Sequence, residues 1–300
     1  MTLPLYVVFT MDCERIAAES PPGGPETWTL SERAIEGFCA MLLDCAIRPT
    51  LFLVPECAQR HSSLLKGLAG QGVELGLHTH PQSLADHRYR RYLGAYSASM
   101  QQTVIERGLG IFVDALGQRP RAFRPGNFSA SNETFAVLHS LGFSQGSVSD
   151  PGREAPRLAA LWKEADPYPH WANQEDRLRS GTLPFLEVPL TTDPTQVRPN
   201  GFPYELRIES GPFEEWHAPI IHQALQRMAS EQVAFPCLCL FTHNCFDYGD
   251  PGCDQTRTLR NTVEFLHVLR ERYEVRPVTL AEIRRRFVET MGEPSSEVEV

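Results

Sequence analysis

Short apolar runs alternate with amphipathic helical patterns along most of the chain. The first run, LYVVFT at residues 5–10, precedes SERAIEGFCAMLLDC at residues 31–45, where apolar residues recur at helical spacing. Seven further runs have strand character: PTLFLV (49–54), VELGLH (73–78), RAFR (121–124), SQGSV (144–148), FLEVPL (185–190), CLCLFTH (237–243) and VRPVTL (275–280). Seven or eight strand–helix units predict an α/β fold, either a parallel barrel or a doubly wound sheet.

Reactive side chains occur at the ends of several predicted strands. In chain order they are Asp12, Glu14, His78, His80, Arg124 and His243. Reactive groups that follow many different parallel strands converge when the strands form a ring. The pattern therefore favours a (β/α) barrel of seven or eight parallel strands.

The alternation fails in one stretch and ends before the C-terminus. Prolines, tryptophans and charges dominate residues 150–183, which predicts a loop insertion within one domain spanning 1–290. The acidic tail at 291–300, which ends GEPSSEVEV, is predicted to be disordered.

Composition narrows the classes of partner. The chain has 300 residues, of which 42% are hydrophobic, and a formal net charge of -9. The negative charge argues against nucleic acid or an anionic membrane as the main partner, and no stretch is long and apolar enough for stable membrane insertion. The N-terminal MTLPLYVVFT lacks a basic region before its apolar run, so we expect a first strand and a cytoplasmic protein.

The eight cysteines are predicted to be free thiols. Four of them crowd together late in the chain: Cys237, Cys239, Cys245 and Cys253. A zinc cluster is the alternative, but their spacing lacks the short C-x2-C pair of structural zinc sites. Buried thiols in a reduced compartment are the simpler interpretation.

The segments MDCE and LHTHP carry residue types suited to a metal site. A mononuclear hydrolytic site needs about three protein ligands, and alternate strand residues such as His78 and His80 point the same way. Of Asp12 and Glu14, one can bind the metal while the other accepts a proton from water. Taken singly, an acid after a strand is more often a helix cap, and a lone histidine is more often a core residue.

Together, FTMDCE, LHTHP, AFRPG and LFTHN resemble the motifs of the NodB-homology polysaccharide deacetylases, from about Leu5 to Leu280. The resemblance implies a distorted, NodB-like (β/α) barrel and a carbohydrate esterase that removes acetyl groups with one divalent metal ion. The donor types favour zinc, with cobalt, nickel and manganese as alternatives. The separated acids of D-x-E and the H-x-H-P variant are similar to a divergent branch of that family.

By this resemblance, Asp12 is the general base, and Glu14, His78 and His80 bind the metal. Arg124 orients the base. The family usually places its second histidine four residues after the first, where this chain has Gln82, so Gln82 remains an alternative ligand or substrate contact.

His243 is the general acid that the resemblance implies. Asp247 is one candidate partner for this histidine, although a solvated loop acid is the commoner role for such a residue.

The predicted activity is removal of an acetyl group from an N-acetylated sugar or glycoconjugate. Hydrolysis of another linear or cyclic amide on the same barrel, or sugar binding without catalysis, are the alternatives. The expected partner is a small molecule or glycan with an acetamido group. Four aromatic residues could stack on a sugar or pack their own segments: Trp162, Tyr168, Trp171 and Trp216.

Overall fold

The computed structural model describes residues 4–20, 23–84 and 88–294. Its main element is a nine-stranded sheet. The strands of the described residues, in chain order, are β1 (Pro4–Cys13), β2 (Thr50–Leu53), β3 (Glu74–Thr79), β4 (Ala122–Pro125), β5 (Gln145–Gly146), β6 (Glu154–Ala155), β7 (Ala160–Leu161), β8 (His170–Ala172), β9 (Leu183–Glu187), β10 (Thr192–Val197), β11 (Pro203–Glu205), β12 (Cys237–His243) and β13 (Glu274–Pro277). All eight predicted strands are present.

The sheet is parallel except at one edge. Its order is β12-β1-β2-β3-β4-β5-β9-β8, and β13 also pairs with β1. Only β8 runs antiparallel, against β9, so eight strands are parallel. The strand β1 is buried from Leu5 to Cys13, as expected for a strand covered on both faces.

Irregular backbone closes the ring between β9 and β12. The amide of Thr191 donates to the carbonyl of Cys239 over 3.1 Å, and the amide of Phe241 donates to Leu206 over 3.0 Å. These single hydrogen bonds replace a continuous strand ladder. The prediction of a distorted barrel of seven or eight parallel strands is therefore confirmed.

Helices cover the outside of the sheet. They are α1 (Trp28–Asp44), α2 (Pro55–Arg60), α3 (Ser62–Gly70), α4 (Ala98–Leu116), α5 (Thr134–Ser140), α6 (Ala218–Ser230), α7 (Asp254–Leu269) and α8 (Leu280–Met291). In α1, Ala34, Ile35, Phe38 and Leu42 are buried at spacings of three and four residues, which places them on one face against the core.

The segment 150–183 is more ordered than a loop. The strands β6 and β7 form a small antiparallel hairpin, and β8 extends the main sheet beyond β9. The predicted irregular insertion is thus wrong in part, because strands of two or three residues are too short to leave a periodic pattern in the sequence.

The four aromatic residues considered for sugar stacking pack within the protein. Trp162 is fully buried and donates through Nε1 to the carbonyl of Phe128, while Trp171 packs edge-on against Phe287. The ring of Trp216 packs against the ring of Tyr204 at a tilt, and the hydroxyl of Tyr168 donates to the carboxylate of Glu231. Packing is therefore the role that the structure gives them.

Among the described residues, no helix has both the length and the apolar character needed to cross a membrane. All eight cysteines are free, and Cys237 and Cys239 are buried in β12. Of the predicted acidic tail, Met291 ends α8, contrary to the expected disorder at that residue, and 295–300 lie outside the described residues.

Candidate metal and acid–base site

Strand register brings four predicted site residues together at the carboxyl ends of the strands. Asp12 on β1 lies beside His243 on β12, and His78 on β3 lies beside Arg124 on β4. Glu14 follows β1 and His80 follows β3. Parallel barrels present reactive side chains at this end.

Glu14, His78 and His80 form a compact group of possible metal ligands. Oε1 of Glu14 lies 3.2 Å from Nε2 of His78 and 2.8 Å from Nε2 of His80. One donor atom from each residue falls within 4.8 Å of the other two. Burial opposes ionisation of Glu14, but the two histidines outweigh it and hold the pKa of Glu14 well below its usual value.

The orientation of His78 is fixed by a hydrogen bond from the ring nitrogen that does not face Glu14. Its Nδ1 lies 2.9 Å from the backbone carbonyl of Arg124, which can only accept a hydrogen bond. Nδ1 therefore carries a proton, and in the neutral form of the imidazole Nε2 has the lone pair that faces Glu14. This tautomer is the one that a metal ion requires of Nε2.

The imidazole of His80 packs directly against Gly126, the glycine of the RPG segment. A Cβ atom at Gly126 would come within 2.4 Å of Nδ1 of His80 and 2.5 Å of its Cγ. Only glycine lets the imidazole approach so closely. The amide nitrogen of the Asn127 side chain lies 3.5 Å from Nδ1 of His80.

Asp12 is buried beside the ligand group and paired with Arg124. Its Oδ1 accepts from Nη1 of Arg124 over 2.7 Å, and its Oδ2 lies 3.9 Å from Nε2 of His78. Burial raises the pKa of Asp12, but the positive charges of Arg124 and His78 outweigh burial, so the pKa lies below its ordinary value. Asp12 is therefore ionised at neutral pH.

Arg124 is itself held in place. The guanidinium donates to the carbonyl of Ser147 over 3.2 Å and to the hydroxyl of Thr10 over 2.8 Å, and it lies 4.3 Å above the ring of Phe52. These contacts fix the arginine under Asp12.

His243 has a partner that sequence reasoning missed. Its Nδ1 lies 2.5 Å from Oε1 of Glu209, and Oε2 of Glu209 accepts from the hydroxyl of Thr242 over 2.8 Å. Burial opposes the charge of Glu209, but His243 and Arg207 outweigh it and lower the pKa of Glu209.

Asp247 is a partly exposed loop acid, as its position in the sequence favoured, and it is not the partner of His243. Asp247 pairs instead with Arg33 over 2.7 Å. Glu209 is 34 residues before His243 and outside any strand, so sequence proximity could not identify it.

Asn244, the residue after His243, also escaped sequence reasoning. Its Oδ1 accepts from the amide of Glu14 over 2.9 Å, and its Nδ2 donates to the carbonyl of Glu14 over 2.9 Å. Nδ2 also donates to the hydroxyl of Ser31 over 2.7 Å. This fully buried side chain fixes the backbone that carries Glu14.

One pocket of about 870 Å³ is lined by all of the predicted site residues except Arg124. Asp12, Glu14, His78, His80 and His243 line it. Gln82 does not contribute to the described lining, and its role as an alternative ligand or substrate contact stays a prediction.

The family comparison matches the motif resemblance. Residues 27–146 match the model of the polysaccharide deacetylase family. No curated protein sequence is significantly similar to the chain. The predicted resemblance to polysaccharide deacetylases is confirmed, and the match includes His78, His80 and Arg124.

Solved structures share the fold over almost the whole chain. A Mycobacterium smegmatis protein assigned by name to the polysaccharide deacetylases has a TM-score of 0.62 at 16% identity, covering 99% of this chain and 94% of its own. A Puue allantoinase has a TM-score of 0.61 at 15% identity, covering 96% and 91%. A Pseudomonas aeruginosa PAO1 protein, also named for polysaccharide deacetylase, has a TM-score of 0.59 at 17% identity, covering 96% and 92%. At these identities the similarity establishes the fold alone.

Proposed function

We propose that this chain, which carries the polysaccharide deacetylase domain matched over residues 27–146, is a metal-dependent hydrolase that removes an acetyl group from an N-acetylated sugar or glycoconjugate. The observation that carries the proposal is the group formed by Glu14, His78 and His80, with ionised Asp12 beside it. The group offers ligands and a base in one pocket.

The three ligand atoms suit a divalent cation. Two imidazole nitrogens and one carboxylate oxygen are a donor set typical of catalytic zinc, with cobalt, nickel and manganese as alternatives. Asp12 and Glu14 also raise the pKa of His78 against the effect of burial, so the surroundings stabilise positive charge. We therefore assign one metal ion, zinc, to Glu14, His78 and His80.

A divalent ion bound there would supply Lewis-acid chemistry at the acyl group and activate water. In this proposal Asp12 accepts the proton of the attacking water, because its Oδ2 faces the ligand group while Oδ1 is held by Arg124. The arginine keeps this carboxylate ionised and correctly oriented.

In this proposal His243 protonates the departing amine. Glu209 accepts the hydrogen bond from Nδ1, which leaves Nε2 to carry a proton into the pocket. Because β1 and β12 pair in register, this histidine stands next to Asp12 and can act on the same acyl group. Amines leave poorly without such a proton.

We propose that residues 1–290 act as a single domain. The strand β1 pairs with both β12 and β13, so the two ends of the described chain share one sheet. We also propose a cytoplasmic location, which fits eight cysteines that are all free.

Acetate release tests the proposal. Purified protein would be loaded with zinc and incubated with N-acetylated amino sugars, O-acetylated sugars, a linear amide and a cyclic amide. We expect acetate from an N-acetylated sugar, released about 10²–10⁴ times more slowly by the matched Asp12→Asn variant. Opening of the cyclic amide alone would instead identify a different C–N hydrolase, and sugar binding without turnover would identify a binding protein.

A further inference from the structure

Three arginines line the pocket that holds the proposed metal ligands: Arg153, Arg157 and Arg207. The acids of the pocket have other partners: Asp12 pairs with Arg124, Glu14 contacts two histidines and Glu209 pairs with His243. The three arginines differ in how far other protein groups occupy their side chains.

Arg153 is a structural member of this group. It is buried, and it donates to the carbonyl of Asn127 over 3.0 Å and to Glu205 over 3.2 Å. It also pairs with Asp150 over 2.5 Å and lies 4.3 Å from the ring of Phe202. All three of its nitrogens thus lie close to protein oxygens.

Arg207 uses only one of its nitrogens. Nε lies 2.8 Å from Oε1 of Glu205, and the guanidinium lies 4.6 Å from the ring of Phe241, which also lines the pocket. Neither Nη1 nor Nη2 has a hydrogen-bond partner within the described part of the chain. A planar pair of such donors matches the two oxygens of a carboxylate or phosphate.

Arg157 has no ion-pair or hydrogen-bond partner for its side chain among the residues that the structure describes. It is exposed at the pocket, on the short turn Pro156–Leu158 that joins β6 to β7. The hairpin of segment 150–183 thereby adds an unpaired cation to the pocket.

The surroundings of Arg207 leave excess positive charge. Arg153, Arg198 and Arg207 all approach the one carboxylate of Glu205. Burial and the nearby carboxylate of Glu205 raise the pKa of Asp150, which reduces the negative charge that this second acid contributes. Three guanidinium groups therefore face fewer than two full negative charges at Glu205 and Asp150, and Glu209, which also attracts Arg207, is hydrogen-bonded to His243.

We propose that Arg157 and Arg207 form an anion-binding subsite, and that the natural substrate is an acetylated sugar bearing a carboxylate or phosphate group. The identity of the sugar part rests on the proposed deacetylase function. A neutral sugar offers the free donors of Arg207 only hydroxyl oxygens or water, whereas an anion offers two charged oxygens that form stronger hydrogen bonds.

Matched ligands test the subsite on the full chain. Binding by calorimetry and acetate release would be measured for N-acetylglucosamine, its 1-phosphate, its 6-phosphate and N-acetylmuramic acid. We expect at least one anionic compound to be preferred over the neutral sugar by about tenfold or more, since a hydrogen bond between charged groups is worth that much. The phosphates and the carboxylate form separate arms that identify which anion is bound.

Arg157→Gln and Arg207→Gln should each reduce this preference, and Arg207→Lys should retain part of it because the ion pair with Glu205 survives. Arg260→Gln, on the exposed face of α7 and outside the pocket lining, removes one positive charge elsewhere and should leave the preference unchanged. Arg157 is exposed, so its variant remains informative if Arg207→Gln does not fold.

The binding measurements keep two kinds of failure apart. Anion preference that depends on the two arginines, without acetate release from any compound, would refute the deacetylase and retain the subsite. Equal binding of neutral and anionic sugars, or an equal loss of preference in Arg260→Gln, would overturn the subsite whether or not acetate is released.

Discussion

Glu14 and Glu74 are removed from bulk water at opposite ends of the barrel and have opposite ionisation behaviour. Two histidines hold the pKa of Glu14 well below its ordinary value against the effect of burial. Glu74, the first residue of β3, accepts only from neutral donors, and burial raises its pKa. Burial therefore disfavours charge at both glutamates, and the presence of cationic neighbours decides which one is strongly ionised.

This difference in ionisation corresponds to different roles of the two ends of the barrel. Glu74 accepts from Thr50 over 3.0 Å, from Gln145 over 3.0 Å and from the backbone amide of Ala281 over 2.9 Å. It thus ties the start of α8 to β2, β3 and β5. At the other end of β3, His78 contributes to the proposed metal site, so one strand carries a structural residue and a reactive one.

The largest expected effect is a loss of kcat from a substitution at the site end of the barrel, with little loss from the matched substitution at the opposite end. Asp12→Asn removes the proposed base but keeps its size, and we expect kcat for deacetylation to fall by about 10²–10⁴ with the metal retained. Glu74→Gln, the matched amide substitution at the structural end, should change kcat little. Steady-state kinetics with metal analysis would decide, and a comparable loss of kcat in both variants would refute the division.

The second effect concerns Glu209. Glu209→Gln should lower kcat on the order of 10–100-fold, because the amide no longer supplies the negative charge that holds His243 in position. Asp247→Asn is the control, since its carboxylate pairs with Arg33 on the surface and such pairs contribute little. Esters with good leaving groups should be affected less than amides. Equal losses in the two variants would restore Asp247 as a candidate partner.

The third effect tests the approach of His80 to Gly126. The added methyl group of Gly126→Ala would collide with the imidazole, and displacing a metal ligand should weaken metal binding by about 10–100-fold. Gly110→Ala in α4 adds the same methyl group where no atom lies within 4 Å. Competition with a chromogenic chelator measures both. Unchanged affinity in Gly126→Ala would remove His80 from the ligand set.

The smallest effect is on stability, at the structural end. Since the pKa of Glu74 is raised in the folded state, the folded chain holds a proton that the unfolded chain releases above about pH 4.3. The free energy of unfolding therefore falls as pH rises through this window. The side-chain amide in the Glu74→Gln variant cannot titrate. The free energy of unfolding of this variant should therefore fall less between pH 5 and pH 7 than that of the wild type. Urea unfolding at both values measures it, and identical changes would contradict the raised pKa.

The sequence predicted the parallel strands, which form a repeating pattern along the chain, and the site residues that lie at strand ends. Apolar runs gave all eight parallel strands, and strand ends gave the positions of Asp12, His78 and Arg124. These features depend on local order along the chain, where alternation and strand termini leave a visible pattern.

The remaining parts depend on contacts between distant segments. Glu209 reaches His243 from an irregular loop, and Asn244 binds the backbone of Glu14 across 230 residues. The antiparallel β8 is only three residues long. None of these has a periodic or spacing signal, so single-sequence reasoning could not find them.

Metal titration of the stripped protein tests the central claim most directly. Metal would be removed with a chelator, and zinc added back while bound metal and acetate release are followed together. We predict that activity rises in proportion to zinc and saturates at about one ion per chain. His78→Ala and His80→Ala should abolish this site, while Gln82→Ala should retain it. Full activity of the stripped protein, or unchanged zinc binding in both histidine variants, would contradict the account.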